Sequence, residues 1–142
     1  MREILFRGKD KQGITQKDWV YGDLTYMNYG VKFPTISNFG QRFGRCEDKY
    51  TPVDEETIGQ FTGIFDKNLK KVFEGDIVKV YFVYITFLAK ITFKGCSFCM
   101  ERLDNKFYTY HLGPSYANDI EVVGNIHDNP ELLENEVSNE DE

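Results

Sequence analysis

EGDIVKVYFVYITFLAKITF, residues 74–93, decides the fold class. Gly75-Asp76 is a turn signal, and the runs Ile77–Phe82 and Leu88–Phe93 are dense in β-branched and aromatic residues. That is the composition of strands lying on a half-buried surface. Gly95 breaks the second run, strand character continues from Cys96 to Leu103, and Asp104-Asn105-Lys106 turns the chain into Phe107-Tyr108-Thr109-Tyr110. Toward the C-terminus, Ile120–Ile126 is another strand. Asn129-Pro130-Glu131 then opens a short helix, with Asn at the cap and Pro at the first helical position. Toward the N-terminus, Gly59–Phe65 and Lys71–Phe73 read as strands around the turn Asp66-Lys67-Asn68. Asp54-Glu55-Glu56 suits the first turn of a helix, where carboxylates meet free N–H groups, and Gly59 keeps that helix short. Glu3–Arg7 and Trp19–Tyr21 flank the polar link Lys9–Gly13 and predict a first hairpin.

No long amphipathic helix is available for the crossovers of a parallel sheet, so the expected class is mainly β, antiparallel, with minor α. Closing a sheet removes its exposed edges, which favours a small SH3-like barrel over residues 53–133, ending in the short C-terminal helix. The hairpin of residues 1–24 precedes it. Between residues 25 and 52, Gly30, Pro34, Gly40 and Gly44 interrupt any pattern, which predicts a long irregular insertion. Residues 1–133 are expected to form a single domain, and residues 134–142 a disordered acidic tail.

The chain has 142 residues, 17 Lys and Arg against 23 Asp and Glu, and a net charge of −6. Glu131, Glu134, Glu136, Glu140, Asp141 and Glu142 supply six of the acids, so the remaining 17 balance the 17 bases and the body is neutral. A neutral body lacks the basic excess of a dedicated duplex-DNA binder, and equally the acidic surface of a DNA mimic. The opening MREILFRGKD carries charges at positions 2, 3 and 7, which interrupt any secretory core. The apolar run Val80–Ala89 is ten residues, about half a membrane span. No membrane association is expected. Three cysteines (Cys46, Cys96 and Cys99) in such a chain point to free thiols in a reducing cytosol.

Four stretches together carry a resemblance: MREILFR (1–7), WVYGDL (19–24), VDEETIGQFTGIFDKNLKKVFEGDIVKV (53–80) and VVGNIHDNPELL (122–133). In this order they resemble the YopX protein family, small proteins encoded by phages and prophages of Gram-positive bacteria. The resemblance spans nearly the whole chain apart from residues 25–50 and the tail. Two departures stand out. Gly8-Lys9 occupies the place where the family commonly has Ala-Trp, and Leu69 the place where it commonly has Gly after Asp-Lys-Asn. Leu69 suggests a different turn or a longer loop, since Gly alone takes a left-handed backbone freely. The resemblance implies a phage accessory protein in the cytoplasm of the bacterial host and supplies no catalytic residues.

Cys96-Ser97-Phe98-Cys99 has the spacing of half a zinc site, but no second CxxC follows, and only Cys46, His111 and His127 could complete it. On a strand, Cys96 and Cys99 would point to opposite faces. No metal or cofactor is expected. No nucleophile-elbow or phosphate-loop pattern occurs, so no catalytic set is assigned. The unusual inventory is aromatic: twelve Phe, nine Tyr and one Trp. Most must fill the core, while those left outside can stack on bases or anchor a protein interface. The stretch Tyr108, Tyr110, Tyr116 and the insertion, where Tyr29, Phe39 and Phe43 lie near Arg42 and Arg45, have that mix. Trp19 and the polar residues Arg7, Gln60, Thr62 and Asn125 lie inside the matched motifs. The polar four serve either as cross-strand hydrogen bonds or as the lining of a shared cleft. The reading is a non-enzymatic, homo-oligomeric binding protein whose partner is a host or defence protein, or nucleic acid. The alternatives are an oligomeric sponge for a nucleotide signal and a small hydrolase or metal-dependent enzyme.

Overall fold

The structure, a computed structural model, describes residues 3–12, 18–37, 50–105 and 107–133. Its strands are β1 (Phe6–Lys9), β2 (Trp19–Asn28), β3 (Lys32–Ser37), β4 (Thr51–Pro52), β5 (Gly59–Phe65), β6 (Lys71–Phe73), β7 (Asp76–Tyr81), β8 (Thr86–Lys94), β9 (Ser97–Arg102), β10 (Thr109–His111) and β11 (Ile120–Asn125). They form two antiparallel sheets, one of six strands ordered β4-β3-β2-β1-β5-β6 and one of five ordered β10-β9-β8-β7-β11. The chain divides into two compact units, Met1–Phe61 and Thr62–Glu142. Among the described residues no helix is long and apolar enough to cross a membrane.

In the first unit, β1 pairs antiparallel with β2, and β2 with β3. Residues 25–37, expected to be irregular, are therefore a regular hairpin. Neither Gly30 nor Pro34 interrupts it, for a local reason. Tyr29 N donates to Val31 O across the tip, which makes Tyr26 and Pro34 a non-hydrogen-bonded pair, so the proline nitrogen faces away from β2. Gly30 takes φ +85° at the tip. Gly8 is required by close approach: an added Cβ would stand 3.0 Å from Val53 Cβ and 3.3 Å from Ile36 Cδ1, and both neighbours are buried. The expected short helix is a 3-10 turn, Glu55–Thr57, in which Thr57 Oγ1 donates to Asp54 O at 2.6 Å and accepts from Lys9 N at 2.8 Å.

In the second unit, alternate residues of β7, β8 and β9 (Val78, Val80, Phe87, Ala89, Ile91 and Met100) join Val72 and Ile120 in one buried cluster. The strand order leaves β10 and β11 at opposite edges. Among the described residues no closed barrel forms, which corrects the SH3-like expectation for residues 53–133: Gly59-Gln60 pairs with β1 in the other sheet instead of closing this one. Cys96 also departs from the strand reading. It is the second residue of a two-residue turn between Lys94 and Ser97, where Gly95 and Cys96 take φ +58° and +66°, the pattern of a type I′ hairpin. A single helical turn follows Pro130, as Asn129-Pro130 implied, and the acidic tail lies outside the described residues.

Asp66 organises the β5–β6 turn. Its carboxylate is buried, accepting Asn68 N and Lys70 N at 2.8 and 2.9 Å on one oxygen and Val122 N at 2.9 Å on the other. Leu69 keeps the left-handed conformation expected of a glycine, with φ +64°, instead of a different turn. Its side chain is 81% exposed, so its strain is not repaid by burial. Leu69→Gly should therefore raise unfolding stability by about 1 kcal/mol in urea denaturation. Asp66→Ala, which orphans buried N–H groups, should lower it by about 3 kcal/mol in the same measurement.

Candidate binding surface

The end of the five-stranded sheet where β7 passes to β8 and β9 passes to β10 gathers exposed apolar side chains. Phe82 N donates to Ile85 O at 2.9 Å and closes a tight loop. Phe82 itself packs inward, with its ring 5.4 to 5.8 Å from those of Phe87, Tyr110 and Tyr116. Val83 and Tyr84 at the loop centre are 90% and 98% exposed, and Ile85 is 43% exposed. Beside this loop, Asn105 Oδ1 accepts Phe107 N at 3.0 Å and Asn105 O accepts Tyr108 N at 3.1 Å. That turn holds Phe107 outward at 96% exposure.

Arg102 stiffens the same end. Its guanidinium carbon lies 4.4 Å from the Phe87 ring centroid and 5.2 Å from that of Tyr108. It forks onto Asp104 at 2.8 and 2.5 Å. A cavity of about 270 Å³ opens here, lined by Lys79, Thr86, Phe87, Leu88 and Asp104. The hydrogen bonds from Arg102 hold the Asp104 carboxyl below the usual carboxylate range, against the opposing effect of burial.

On the opposite face of this sheet, β8, β9 and β10 carry a polar group. Glu101, buried, pairs with Lys94 and, at 3.7 Å, with Lys90. Ser97 Oγ lies 2.9 Å and Cys99 Sγ 3.8 Å from His111 Nδ1. A hydroxyl beside an imidazole can exchange a proton, but among the described residues His111 bonds to no carboxylate that would orient it. Among the described residues no group of three or more His, Cys, Asp or Glu side chains could hold a metal ion.

The residues singled out in the sequence divide sharply. Arg7 is buried and its guanidinium carbon lies 4.6 Å from the Trp19 ring centroid, with Lys9 Nζ at 5.5 Å. Register explains the grouping, because Lys9 pairs with Trp19 and Arg7 with Tyr21, which puts all four on one sheet face. Gln60 pairs with Phe6, whereas Arg7 pairs with Gly59, so Arg7 and Gln60 point to opposite faces and share no cleft. Thr62 Oγ1 donates to Val72 O at 2.8 Å. Asn125 Oδ1 accepts His127 N and Asp128 N at 3.0 and 2.9 Å. Both are turn and ladder residues. Tyr29, 75% exposed, stacks on Phe33 at 6.2 Å at the β2–β3 tip. Phe39, Arg42, Phe43 and Arg45 lie outside the described residues. Of the Tyr-rich stretch, Tyr110 and Tyr116 pack against the core, and only Tyr108 is exposed. Val83, Tyr84, Ile85 and Phe107 were missed. The signal for the first three was an unbroken apolar run too long to alternate; no Gly, Pro, Asn or Asp announced their turn.

An open, antiparallel two-sheet protein with an apolar loop cluster at one sheet end defines a small all-β scaffold. The sequence matches the profile of the YopX protein family over residues 5–134, and the chain belongs to that family. The crystal structure of protein yopX from Bacillus subtilis is similar, with a TM-score of 0.54 and 18% identity over 94% of this chain and 97% of that one. Protein EF1440 from Enterococcus faecalis is similar at a TM-score of 0.50 and 26% identity, over 94% of this chain and 99% of that one. The curated proteins contain no match.

The Arg102–Asp104 fork carries a pH signature. A carboxyl held low in the folded state adds stability above its unfolded value, and that stability is lost as pH falls through the depressed folded value. Asp104→Asn should be less stable than the wild type by about 1 kcal/mol at pH 7. The gap should shrink as pH drops through and below the normal carboxylate range, as read by thermal melts across pH.

Proposed function

We propose that this chain is a non-enzymatic phage accessory protein that works in the cytoplasm of the bacterial host as a homo-oligomer and binds a host or defence protein. The supporting observation is the apolar loop cluster of the second unit, where Val83, Tyr84 and Phe107 are each at least 90% exposed. Isolated exposed apolar residues are ordinary, but several gathered at one sheet end are the feature of an interaction surface. An aromatic side chain buries about 150–250 Å² when covered, which at about 25 cal/mol/Å² makes Tyr84 and Phe107 natural anchors.

Charge favours a protein partner over nucleic acid at this end. Arg102 is committed to Asp104, leaving Lys79 as the cation that lines the cavity among the described residues, and strand binding needs several cations beside the stacking rings. The polar motif residues Thr62 and Asn125 are spent on main-chain hydrogen bonds, which supports binding over chemistry. The nucleotide-sponge alternative predicts a small ligand carried through purification, visible by native mass spectrometry; the protein-binding reading predicts none.

The test is capture from a lysate of the bacterial host with wild type and with Val83→Ser/Tyr84→Ser. These side chains are almost fully exposed, so folding and melting temperature should be unchanged. The captured partner should fall at least tenfold. Equal capture by the variant would remove the loop from the interface.

A further inference from the structure

The two edges of the five-stranded sheet are treated differently. On β11, the β5–β6 turn supplies partners to the outward main chain: Asp66 Oδ2 accepts Val122 N at 2.9 Å and Lys67 N donates to Ile120 O at 3.0 Å. A register shift between Val122 and Gly124 breaks the strand further. These are standard protections of an edge. On β10, among the described residues, nothing plays that part.

The hydrogen-bond pattern shows which groups β10 leaves outward. Arg102 N donates to Tyr108 O at 3.1 Å and Leu112 N to Phe98 O at 2.9 Å, extending the register in which Tyr110 faces Met100. Hydrogen-bonded and non-hydrogen-bonded pairs alternate in an antiparallel ladder. Tyr108, Tyr110 and Leu112 therefore turn their main-chain groups toward β9, and Thr109 and His111 turn theirs away. Both outward residues are exposed, and the strand Thr109-Tyr110-His111 has no Lys, Pro or bulge to deter pairing.

We infer that β10 pairs with β10 of a second copy of this chain, antiparallel, about a two-fold axis at Tyr110. The inference rests on the homo-oligomer of the proposed function and names its interface. Self-pairing is favoured by register. With the axis at Tyr110, Thr109 of each copy stands opposite His111 of the other, and all the outward donors and acceptors are used in two hydrogen-bonded pairs. A shift of the axis to Thr109 or His111 leaves one of the two without a partner. The same register brings Tyr108, 53% exposed, beside Leu112 of the second copy, adding apolar cover at both ends of the seam. An axis perpendicular to the sheet keeps like faces together, so the face bearing Ser97, Cys99 and Glu101 continues across the junction, as does the core face. No Lys, Arg, Asp or Glu lies on the three paired positions to oppose the contact.

The experiment reads molecular mass by light scattering and by native mass spectrometry. Wild type should be a dimer of the 16.6 kDa chain. Thr109→Pro and His111→Pro each remove an N–H that the β9 ladder does not use, so each should fold with little change in melting temperature and raise the dimer dissociation constant at least tenfold. Thr109→Val keeps the N–H and should remain dimeric. In hydrogen exchange, the amides of Thr109 and His111 should be protected in wild type, and the one that each proline variant retains (His111 in Thr109→Pro, Thr109 in His111→Pro) should exchange rapidly. A monomeric wild type would overturn both this interface and the homo-oligomer. An oligomer that survives the proline variants, or a monomeric Thr109→Val, would overturn the interface alone. Loss or retention of host-protein capture on changing Val83 and Tyr84 is read separately and leaves these masses unaffected.

Discussion

Asp66 joins parts of the second unit that the chain itself keeps far apart. A carboxylate at 3% exposure is costly unless its lone pairs are filled, and here three main-chain N–H groups fill them. Two of these donors lie in the β5–β6 turn and close it. The third belongs to Val122, 56 residues away, and fixes that turn against the edge of β11. The same side chain thus sets a hairpin, holds a strand in register and covers a sheet edge. With β11 covered, β10 is the edge of that sheet that has no such cover among the described residues.

A second network repeats the logic at the far end of β11. Asn125 bonds the main chain of the following turn, and Asn129 Oδ1 accepts Asn125 N at 3.2 Å. Gly124 allows this approach: a Cβ there would stand 2.5 Å from Asn129 Oδ1. The Gly-Asn…Asn-Pro motif therefore encodes a turn in which both side-chain oxygens accept main-chain N–H groups, while the two Nδ2 groups donate to Asp128 and Glu131. Asp76 does the same for the β6–β7 turn, accepting Phe73 N at 2.8 Å. Polar residues that look functional in a short motif are here the supports of turns, the buried polar groups a β protein must satisfy internally.

What could be read from the amino acids followed from how strongly local chemistry was marked. Strands β7, β8 and β11 were legible because β-branched and aromatic runs were bounded by Gly, Asp and Asn. The hairpin of β2 and β3 was hidden because Gly30 and Pro34 read as breakers, whereas one sits at the tip and the other in a pair that needs no N–H. The Phe82–Ile85 turn was illegible for the opposite reason, having no breaker at all. Closure could not be read either: alternation fixes which face a residue takes, but not which sheet its strand joins. Of the candidate site, Arg7 and Trp19 do meet. Gln60 was separated from Arg7 by a one-residue difference in register, which reverses the face.

The aromatic excess divides by the same physics. Phe82, Phe87, Tyr110 and Tyr116 make an edge-and-face cluster over the buried aliphatic layer and account for stability. Tyr84 and Phe107 contribute almost no burial, yet tight hydrogen-bonded turns hold them outward. Residues kept for packing would be drawn inward, as their neighbour Phe82 is, one position before Val83 on the same loop. A loop that turns one aromatic into the core and presents another two positions later uses the first as a fastening for the second. Because the hydrogen bond from Phe82 N to Ile85 O closes the loop, covering Tyr84 would cost less ordering entropy than covering a side chain on an open loop.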